Sequence, residues 1–315
     1  MPPISFSHPR RGRIPVMLRA WIHQNVSARF LAFLLLLRVC TGFAAAQQPP
    51  RPRASAVPRL ILLPPKIVSG AQATLAVLDS QGRLLPTVTV ELSGGEKVTS
   101  DTTGRATFMA PGQPGTLVAK ISAQGISAST AVVAPEGSGI HGMTDDSPVG
   151  VKVSSYPHAM AIHDRFTLEG SGFRGLADSN HVYLNGDPCL VVASSPVSIV
   201  ALPGPGVPIG DVILHVTVAG IDAGQFPVSA VLLEFTGPTE SVNAGSTGKL
   251  ILHAHGTVEP LLVEVRNGSP GVVQLSKGNV QRLKTSGGDE NIAPVDVKFV
   301  TGGNYSVTAR LISAE

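Results

Sequence analysis

The stretch EGSGFRGLADSNHVYLNGDPC, Glu169 to Cys189, decides between two folds. Its Gly170, Gly172 and Gly175 spell G-x-G-x-x-G, the fingerprint of a dinucleotide-binding unit when a helix opens at the third glycine. Here only LADSN separates that glycine from HVYLNG, which is a strand and a turn, and the segment VVASSPVS near residue 195 has no acid. A pyrophosphate needs the N–H groups of a helix N-terminus. The stretch therefore predicts a bend between two strands, with no cofactor-binding residue.

Short alternating segments extend outward from this stretch. RFTLEGSGF predicts a strand with Phe166 and Leu168 on one face, and NHVYLNG predicts another with Val182 and Leu184 inward. Asn185-Gly186 is a hairpin signal, and comparable strands separated by Gly, Pro, Asn and Asp follow to the C-terminus. After the leader, no stretch of ten or more residues has an apolar period of 3.6. The pattern predicts an all-β chain.

The same region resembles the IPT/TIG domain, which has an immunoglobulin-like fold. The resemblance rests on a G-x-G-F bend, an N-x-V-x-L-x-G strand and turn, a strand ending in proline, and a long alternating strand. The matching residues are Gly170, Gly172, Phe173, Asn180, Val182, Leu184, Gly186, Pro203, Gly210, Val212, Leu214, Val216, Val218 and Gly220. The family implies a β-sandwich found in cell-surface receptors, transcription factors and bacterial surface proteins.

The flanking segments carry looser resemblances. VLDSQGRLLPTVTVELSGGEKVTSDTTGRATFMA, within the first module, resembles the bacterial immunoglobulin-like modules of invasin-type surface proteins and also prealbumin-like modules. SPGVVQL with the ending VDVKFVT…GGNYSVTARL, in the third, resembles another bacterial immunoglobulin-like repeat. The fold class that follows is all-β, with three tandem immunoglobulin-like β-sandwiches after a signal peptide. Each small core is marginal alone, so neighbouring modules are expected to brace each other.

The predicted organisation has six parts. They are a signal peptide at 1–46, a Pro/Arg-rich linker at 47–59, an immunoglobulin-like domain at 60–135, a linker at 136–150, an IPT/TIG-like domain at 151–235 and an immunoglobulin-like domain at 236–315.

The leader predicts export. It has a basic start, the apolar run FLAFLLLL and a small-residue site ending at Ala46. Eight apolar residues are fewer than the ~20 that a spanning helix needs. Cys40 follows Arg38 and Val39, a poor match to a lipoprotein signal. The expected location is extracellular, at the cell surface or periplasmic, with no stable transmembrane span in the mature chain.

The charge and the cysteine content argue against a nucleic-acid-binding protein, a disulfide-stabilised protein and a thiol enzyme. Six of the 24 basic residues and none of the 21 acidic ones precede residue 47, which leaves 18 basic residues against 21 acidic ones and a net charge of −3. No basic patch supports a nucleic-acid partner. Cys189 is the only mature cysteine, so no internal disulfide can form. It is interpreted as a small buried residue in a strand, since no base lies nearby in sequence.

No metal or catalytic residue is assigned. His253 and His255 share a strand face, but zinc needs three or four ligands, and Glu264 is the one candidate considered as a third. Asp178, Asp187, Asp145 and Asp146 lie in predicted loops without the calcium-loop spacing. The segment GSTGKL lacks the glycine spacing of a phosphate loop. The chain is expected to have no cofactor and no enzymatic activity.

Three functions are compared. The first is a non-catalytic surface or secreted protein acting in adhesion, in protein–protein interaction or as a structural spacer, with a protein or cell-envelope partner. The second is an accessory carbohydrate-binding protein or a non-catalytic part of a polysaccharide-processing system. It is disfavoured because Trp21 lies in the leader and only Tyr156, Tyr183 and Tyr305 remain. The third, an enzyme, lacks converging acid, base and nucleophile.

Overall fold

The computed structural model describes residues 57–135, 150–238 and 242–312. Within these ranges the chain forms strands and two three-residue 3₁₀ turns, Ser122–Gln124 and Ala177–Ser179. The all-β prediction is confirmed. No helix among the described residues has the length and apolarity to cross a membrane. The predicted signal peptide, most of the first linker and residues 136–149 lie outside the described residues.

The first module consists of two sheets. Its strands are β1 (Leu60–Leu62), β2 (Lys66–Val68), β3 (Gln72–Leu78), β4 (Thr89–Leu92), β5 (Lys97–Thr99), β6 (Arg105–Met109), β7 (Gly115–Ile121) and β8 (Ile126–Val133). One sheet contains β1, β3 and β6, and the other has the order β2-β8-β7-β4-β5. Leu75, Val90 and Leu117 pack between them. The ladder begins one residue inside the predicted linker, since the Arg59 N–H donates to the Leu78 carbonyl at 2.8 Å.

Strand β3 is buried on both faces. Leu75 and Val77 point into the first core, as their alternation predicts. Ala76, on the opposite face, packs with Val192, Ala193 and Val200 of the following module. One β-bridge pair, Thr74 with Ser194, joins β3 to that module. A strand covered on both sides indicates a contact between modules.

The second module is the sandwich that contains the opening stretch. Its strands are β9 (Lys152–Ser155), β10 (Ala159–Ala161), β11 (Phe166–Ser171), β12 (Asn180–Leu184), β13 (Asp187–Pro188), β14 (Leu190–Ser194), β15 (Ser198–Leu202), β16 (Gly210–Val218) and β17 (Ile221–Thr236). Strands β9, β11, β15 and β14 form one layer, and β13, β12, β16 and β17 form the other. Leu168, Leu184 and Leu214 are fully buried between the layers, as the alternating pattern predicts.

The glycine motif is a bend, as predicted. Strand β11 ends at Ser171, Gly172 takes a left-handed φ of 76°, and Phe173 packs in the second core at 3 % exposure. A 3₁₀ turn at Ala177–Ser179 then leads into β12, and no helix opens at Gly175. A Cβ on Gly170 would lie 2.0 Å from the Lys152 carbonyl oxygen. The first glycine therefore allows β9 to approach β11 closely.

The third module shares a strand with the second. Its own strands are β18 (Thr247–His255), β19 (Leu262–Asn267), β20 (Val273–Leu275), β21 (Val280–Lys284), β22 (Ile292–Phe299) and β23 (Val307–Leu311). The end of β17 pairs with β18, so the predicted boundary at 235/236 falls inside a continuous strand. Strand β21 is absent from the sequence prediction because its inward positions include a polar residue, Gln281.

Strand β17 presents opposite faces to two cores. Val228 and Ala230 are buried in the second core, whereas Val231, Leu233 and Phe235 pack in the third. Because neighbouring side chains alternate across a strand, the two sandwiches lie on opposite sides of β17. The three large apolar clusters follow the predicted order along the chain. The residue bounds of the six parts stay predictions.

Candidate functional site

The contact between the first and second modules, here called the first junction, is closed by buried hydroxyl groups. The Oγ atoms of Ser195 and Ser198 donate to the Lys66 carbonyl at 2.6 and 2.9 Å. Across the same contact, the Thr74 hydroxyl donates to the Gly175 carbonyl at 2.6 Å. Ser194, of the same module as Gly175, donates to that carbonyl at 2.9 Å. All three serines are fully buried.

Close backbone approach explains the third glycine of the motif. A Cβ on Gly175 would lie 2.0 Å from the carbonyl oxygen of Gln72 in the first module. This role does not show in the sequence, because a glycine required by a neighbouring module has no local pattern. The segment VVASSPVS was the available signal, since hydroxyl residues interrupt two otherwise apolar strands.

Arg105 completes the first junction. Its side chain is only 9 % exposed, and its guanidinium donates to the Val191 carbonyl at 3.1 Å and pairs with Asp178 at 2.7 Å. Asp178, weighed as a calcium ligand, is thus engaged by an arginine. In the described ranges no group of three His, Cys, Asp or Glu side chains has metal-binding geometry. Asp145 and Asp146 lie outside those ranges.

Cys189 departs in part from its predicted environment. It is half-buried, and it lies between β13 and β14 instead of within a strand. Burial, and to a lesser degree the charge of Asp187, raises the pKa of its thiol to about 11. Because the thiolate is the nucleophile, these surroundings oppose covalent chemistry at Cys189.

Three rings form a row, here called the ring row, on the outer face of β12 and β16. The centroids of His181 and Tyr183 are 6.5 Å apart, and those of Tyr183 and His215 are 6.0 Å apart. The Nε2 atom of His215 lies 3.2 Å from Asp222. A pocket of about 220 Å³ beside His181 and Tyr183 opens toward Arg105 and Asp178. The ring row is therefore an amphipathic surface next to the first junction.

A larger cleft opens where the second and third modules meet, here called the second junction. Its volume is about 780 Å³, and residues of both modules line it. The charged and titratable lining residues are Asp211, His253, His255, Glu259, Asp289 and Glu290. No lysine or arginine among the described residues lines the cleft. The cleft therefore favours cationic over anionic ligands.

The side chain of Asn291 shapes the wall of this cleft. Its amide donates to the carbonyls of Thr257 and Glu259 at 3.2 and 2.7 Å, and its carbonyl accepts from the Gly287 N–H at 2.9 Å. The side chain is buried, with Asn291 at 3 % exposure. One asparagine thus fixes two loops that border the cleft.

His253 and His255 share a face of β18, as predicted. Their rings are parallel within 5°, and their centroids are 5.8 Å apart. The Nε2 atom of His253 lies 2.9 Å from the Thr236 hydroxyl, and that of His255 lies 4.0 Å from the Glu234 carboxylate. The acid beside the pair is therefore Glu234 of the neighbouring strand β17.

Glu264, the one residue considered as a third ligand, lies away from the two histidines. It lies on β19, in the opposite sheet, where Arg266 and Arg310 bind its carboxylate at 2.7 and 2.9 Å. The hydrogen bond from Arg266, with the charges of both arginines, holds the pKa of Glu264 below its ordinary value of 4.5. Since Val263 and Val265 face the core, Glu264 lies on the outer face of β19. There the two arginines cover and neutralise it, and the group is a structural ion pair.

Fold and sites define a multi-module β-sandwich protein with surface clefts and no assembled catalytic group among the described residues. The family model of the IPT/TIG domain matches residues 152–235. The middle module is therefore an IPT/TIG domain, as its G-x-G-F bend predicts. No curated protein sequence matches this chain significantly.

Solved structures give distant similarities. SGBP-B of the Bacteroides ovatus mixed-linkage glucan utilization locus, in complex with a mixed-linkage heptasaccharide, is 10 % identical, with a TM-score of 0.25 over 78 % of this chain and 71 % of that one. Invasin, a bacterial integrin-binding protein, is 14 % identical, with a TM-score of 0.20 over 79 % and 56 %. The plexin A4 extracellular region is 9 % identical, with a TM-score of 0.32 over 83 % and 33 %. With TM-scores this low, the similarities carry no inference about ligands.

Proposed function

We propose that this protein is a non-catalytic, exported surface or secreted protein that acts in adhesion, in protein–protein interaction or as a structural spacer. The IPT/TIG domain and the all-β architecture support this function. The predicted leader supports export. The protein works by holding binding surfaces in fixed positions, and it makes or breaks no covalent bond.

The closed first junction is the observation that carries the proposal. Hydroxyls of Ser195 and Ser198 reach a backbone carbonyl of the neighbouring module, and burying such groups is favourable only when they are paired. These hydrogen bonds require one relative orientation of the two modules. A fixed orientation is what a spacer or a display scaffold needs.

The second junction supports the same function by another route. Strand β17 supplies side chains to two cores and leaves no flexible segment between Val228 and Phe235. A backbone ladder that continues from one sheet into the next resists bending. Forces or contacts at one module are therefore transmitted to the next.

Small-angle X-ray scattering tests this rigidity. The wild-type protein is expected to fit a single arrangement of its modules, and the variant carrying Ser195→Ala and Ser198→Ala is expected to need several. Assays for hydrolase and redox turnover provide the second arm. Turnover that a single substitution abolishes would overturn the non-catalytic assignment.

A carbohydrate-binding function is the second candidate, and the ring row supports it. Rings on a sheet face provide apolar area with polar edges, which suits stacking against a sugar. Of the three rings, only Tyr183 is a Phe, Tyr or Trp ring of the kind on which a sugar stacks. The imidazoles of His181 and His215 lie on either side of it. Because this surface has so few aromatic side chains, we rank carbohydrate binding below the adhesion, interaction or spacer function.

A glycan array separates the two functions. Saturable binding that Tyr183→Ala abolishes, and that the control Tyr305→Ala leaves intact, would place carbohydrate binding first. Tyr305 is a suitable control because it is 40 % exposed in the third module. We expect no saturable glycan binding by the wild-type protein.

A further inference from the structure

The outer face of the three-stranded sheet in the third module carries a concentrated positive charge. Strand pairing sets Arg282 of β21 and Arg310 of β23 on either side of Glu264 of β19. Opposed residues of a ladder point to the same face of a sheet, as do alternate residues along a strand. Arg266 and Lys284 therefore lie on this face too, one step along the strands on opposite sides of that row. The four cations around Glu264 are here called the basic face.

The basic face differs in charge from the rest of the protein. Four cationic side chains surround one carboxylate, which gives the face a net charge of +3. All four cationic residues are exposed. Residues 47–315 together carry a charge of −3, with 18 basic residues against 21 acidic ones, so the remainder of that segment is more negative still. A cationic face on a negatively charged protein attracts an anionic partner to one place and orients it there.

Glu264 holds two of the arginines in fixed positions. The Nε atom of Arg266 and an Nη atom of Arg310 bind the same carboxylate oxygen, Oε1, at 2.7 and 2.9 Å. A guanidinium has five N–H donors, so each of these arginines keeps further donors for a second carboxylate. Their side chains are 54 % and 48 % exposed. Because both side chains are already ordered, less conformational entropy is lost when a ligand binds to them.

The spacing of the cations suits an extended peptide. Positions on one face of a strand recur at about 6.7 Å. The basic face occupies three successive positions of this kind, and the middle one is the row through Glu264. An extended peptide that lies along the strands presents alternate side chains at the same interval. Carboxylates at alternate positions of such a peptide therefore meet the cations in turn, and a guanidinium pairs with a carboxylate through two parallel hydrogen bonds.

The other side chains on this face favour a protein as the partner. Leu262 and Val280 lie on it and are 38 % and 50 % exposed. They offer apolar contacts beside the arginines, and arginine is itself enriched in protein interfaces. The described strands β19, β21 and β23 contain no aromatic residue. Single-stranded nucleic acids and sugars are bound largely by stacking on rings, which this face does not provide.

We propose that the basic face binds a partner protein through an extended acidic segment that has carboxylates at alternate positions and an apolar side chain among them. The carboxylates contact the four cations, and the apolar side chain contacts Leu262 or Val280. This inference rests on the protein–protein interaction role within the proposed function, and it gives the partner a chemical class. The spacer role does not require it.

Fluorescence anisotropy with a labelled model peptide tests the proposal on the full protein. The probe carries glutamate at alternate positions, with leucine and serine between them. We expect saturable binding that weakens as NaCl is added, because salt screens exposed charges. The double variant Arg282→Ala, Lys284→Ala is expected to bind the peptide about tenfold more weakly. It leaves the Glu264 ion pair intact, since neither residue takes part in that pair.

A matched double variant controls for net charge. Lys120→Ala with Arg165→Ala removes the same charge at exposed positions of the first and second modules. It is expected to bind the peptide like the wild-type protein, and circular dichroism checks that both variants are folded. Equal weakening in the two double variants would show that only the overall charge matters, and it would overturn the proposal.

Competing probes decide the class of partner. The same peptide with glutamine in place of glutamate, a single-stranded oligonucleotide and hyaluronate are each expected to bind more weakly than the acidic peptide. Tighter binding of the oligonucleotide or of hyaluronate would overturn the choice of a protein partner. No saturable binding of the acidic peptide at low salt would overturn the site itself. Neither result would change the scattering expected of a rigid spacer, so the two failures are distinguishable.

Discussion

The two junctions between modules are built in different ways. At the first, side chains of one module reach the backbone of the other, and Arg105 and three serines are buried in the contact. At the second, the strand β17 itself passes from one core to the next, and a cleft of about 780 Å³ stays open beside it. One junction is closed by side chains, and the other is held by the backbone.

The comparison of the two junctions shows how neighbouring modules can be held rigidly while a cleft between them stays open to solvent. At the second junction a continuous strand joins the two cores, and cleft side chains such as His255 and Glu259 face water. The first junction has one β-bridge pair between its modules in the described residues, and therefore requires buried side chains.

The largest expected effect is at the first junction. Gly175→Ala places a Cβ 2.0 Å from the Gln72 carbonyl oxygen, so one module must move. We expect the free energy of unfolding to fall by about 3 kcal/mol, at the upper end of overpacking costs. Urea unfolding followed by circular dichroism measures the change. Gly112→Ala is the control, since its Cβ would meet nothing within 4 Å; an equal loss in both variants would contradict the close approach.

Removal of the Ser195 and Ser198 hydroxyls is expected to lower the free energy of unfolding by less than Gly175→Ala does. Ser195→Ala combined with Ser198→Ala leaves the Lys66 carbonyl without its two donors. These two bonds are part-buried, and an acceptor left unpaired in a fully buried site costs about 1–3 kcal/mol. We expect the free energy of unfolding to fall by about 2 kcal/mol in the same measurement. Ser129→Ala on β8 is the control, because Ser129 is exposed. If the double variant is as stable as wild type, the serines do not hold the junction.

At the second junction the matching substitution is Asn291→Ala. It removes three hydrogen bonds that fix the cleft loops. Because water from the open cleft can replace the lost partners, we expect the free energy of unfolding to fall by about 1 kcal/mol. This is the lower end of the cost of leaving a buried hydrogen-bond partner unpaired. Hydrogen exchange should rise at Gly287 and stay unchanged at the first junction. Faster exchange near Ser195 would show that the two junctions are not independent.

The smallest effect concerns Cys189, and it appears only in reactivity. Since burial raises the pKa of its thiol to about 11, the thiolate is scarce at neutral pH. Alkylation by iodoacetamide, followed by mass spectrometry of the peptide, is expected to be slow at pH 7 and to rise about tenfold per pH unit up to that pKa. Rapid labelling at pH 7 would show that the pocket beside the ring row is open.

Much of the fold could be predicted from local pattern. The alternation of Val182 with Leu184 and of Val212 with Leu214 places their strands and inward faces. The Gly172–Phe173 bend and the Asn185-Gly186 turn follow from backbone preferences, and Asn185 and Gly186 both adopt positive φ.

What could not be predicted depends on contacts between distant segments. Gly175 is required by Gln72, about 100 positions earlier, and no spacing rule shows this. Glu264 was considered as a third ligand, but Arg266 shares its strand face, and pairing of β19 with β23 sets Arg310 opposite it, which local sequence does not show. Glu234 was missed because strand pairing, which sets it opposite His253, is a tertiary property.

Differential scanning calorimetry tests the central claim, that the closed first junction makes its two modules one cooperative unit. The wild-type protein is expected to unfold these modules in one transition, and the Ser195→Ala, Ser198→Ala variant is expected to resolve them into two. Two separate transitions in the wild-type protein, unchanged in that variant, would contradict the account.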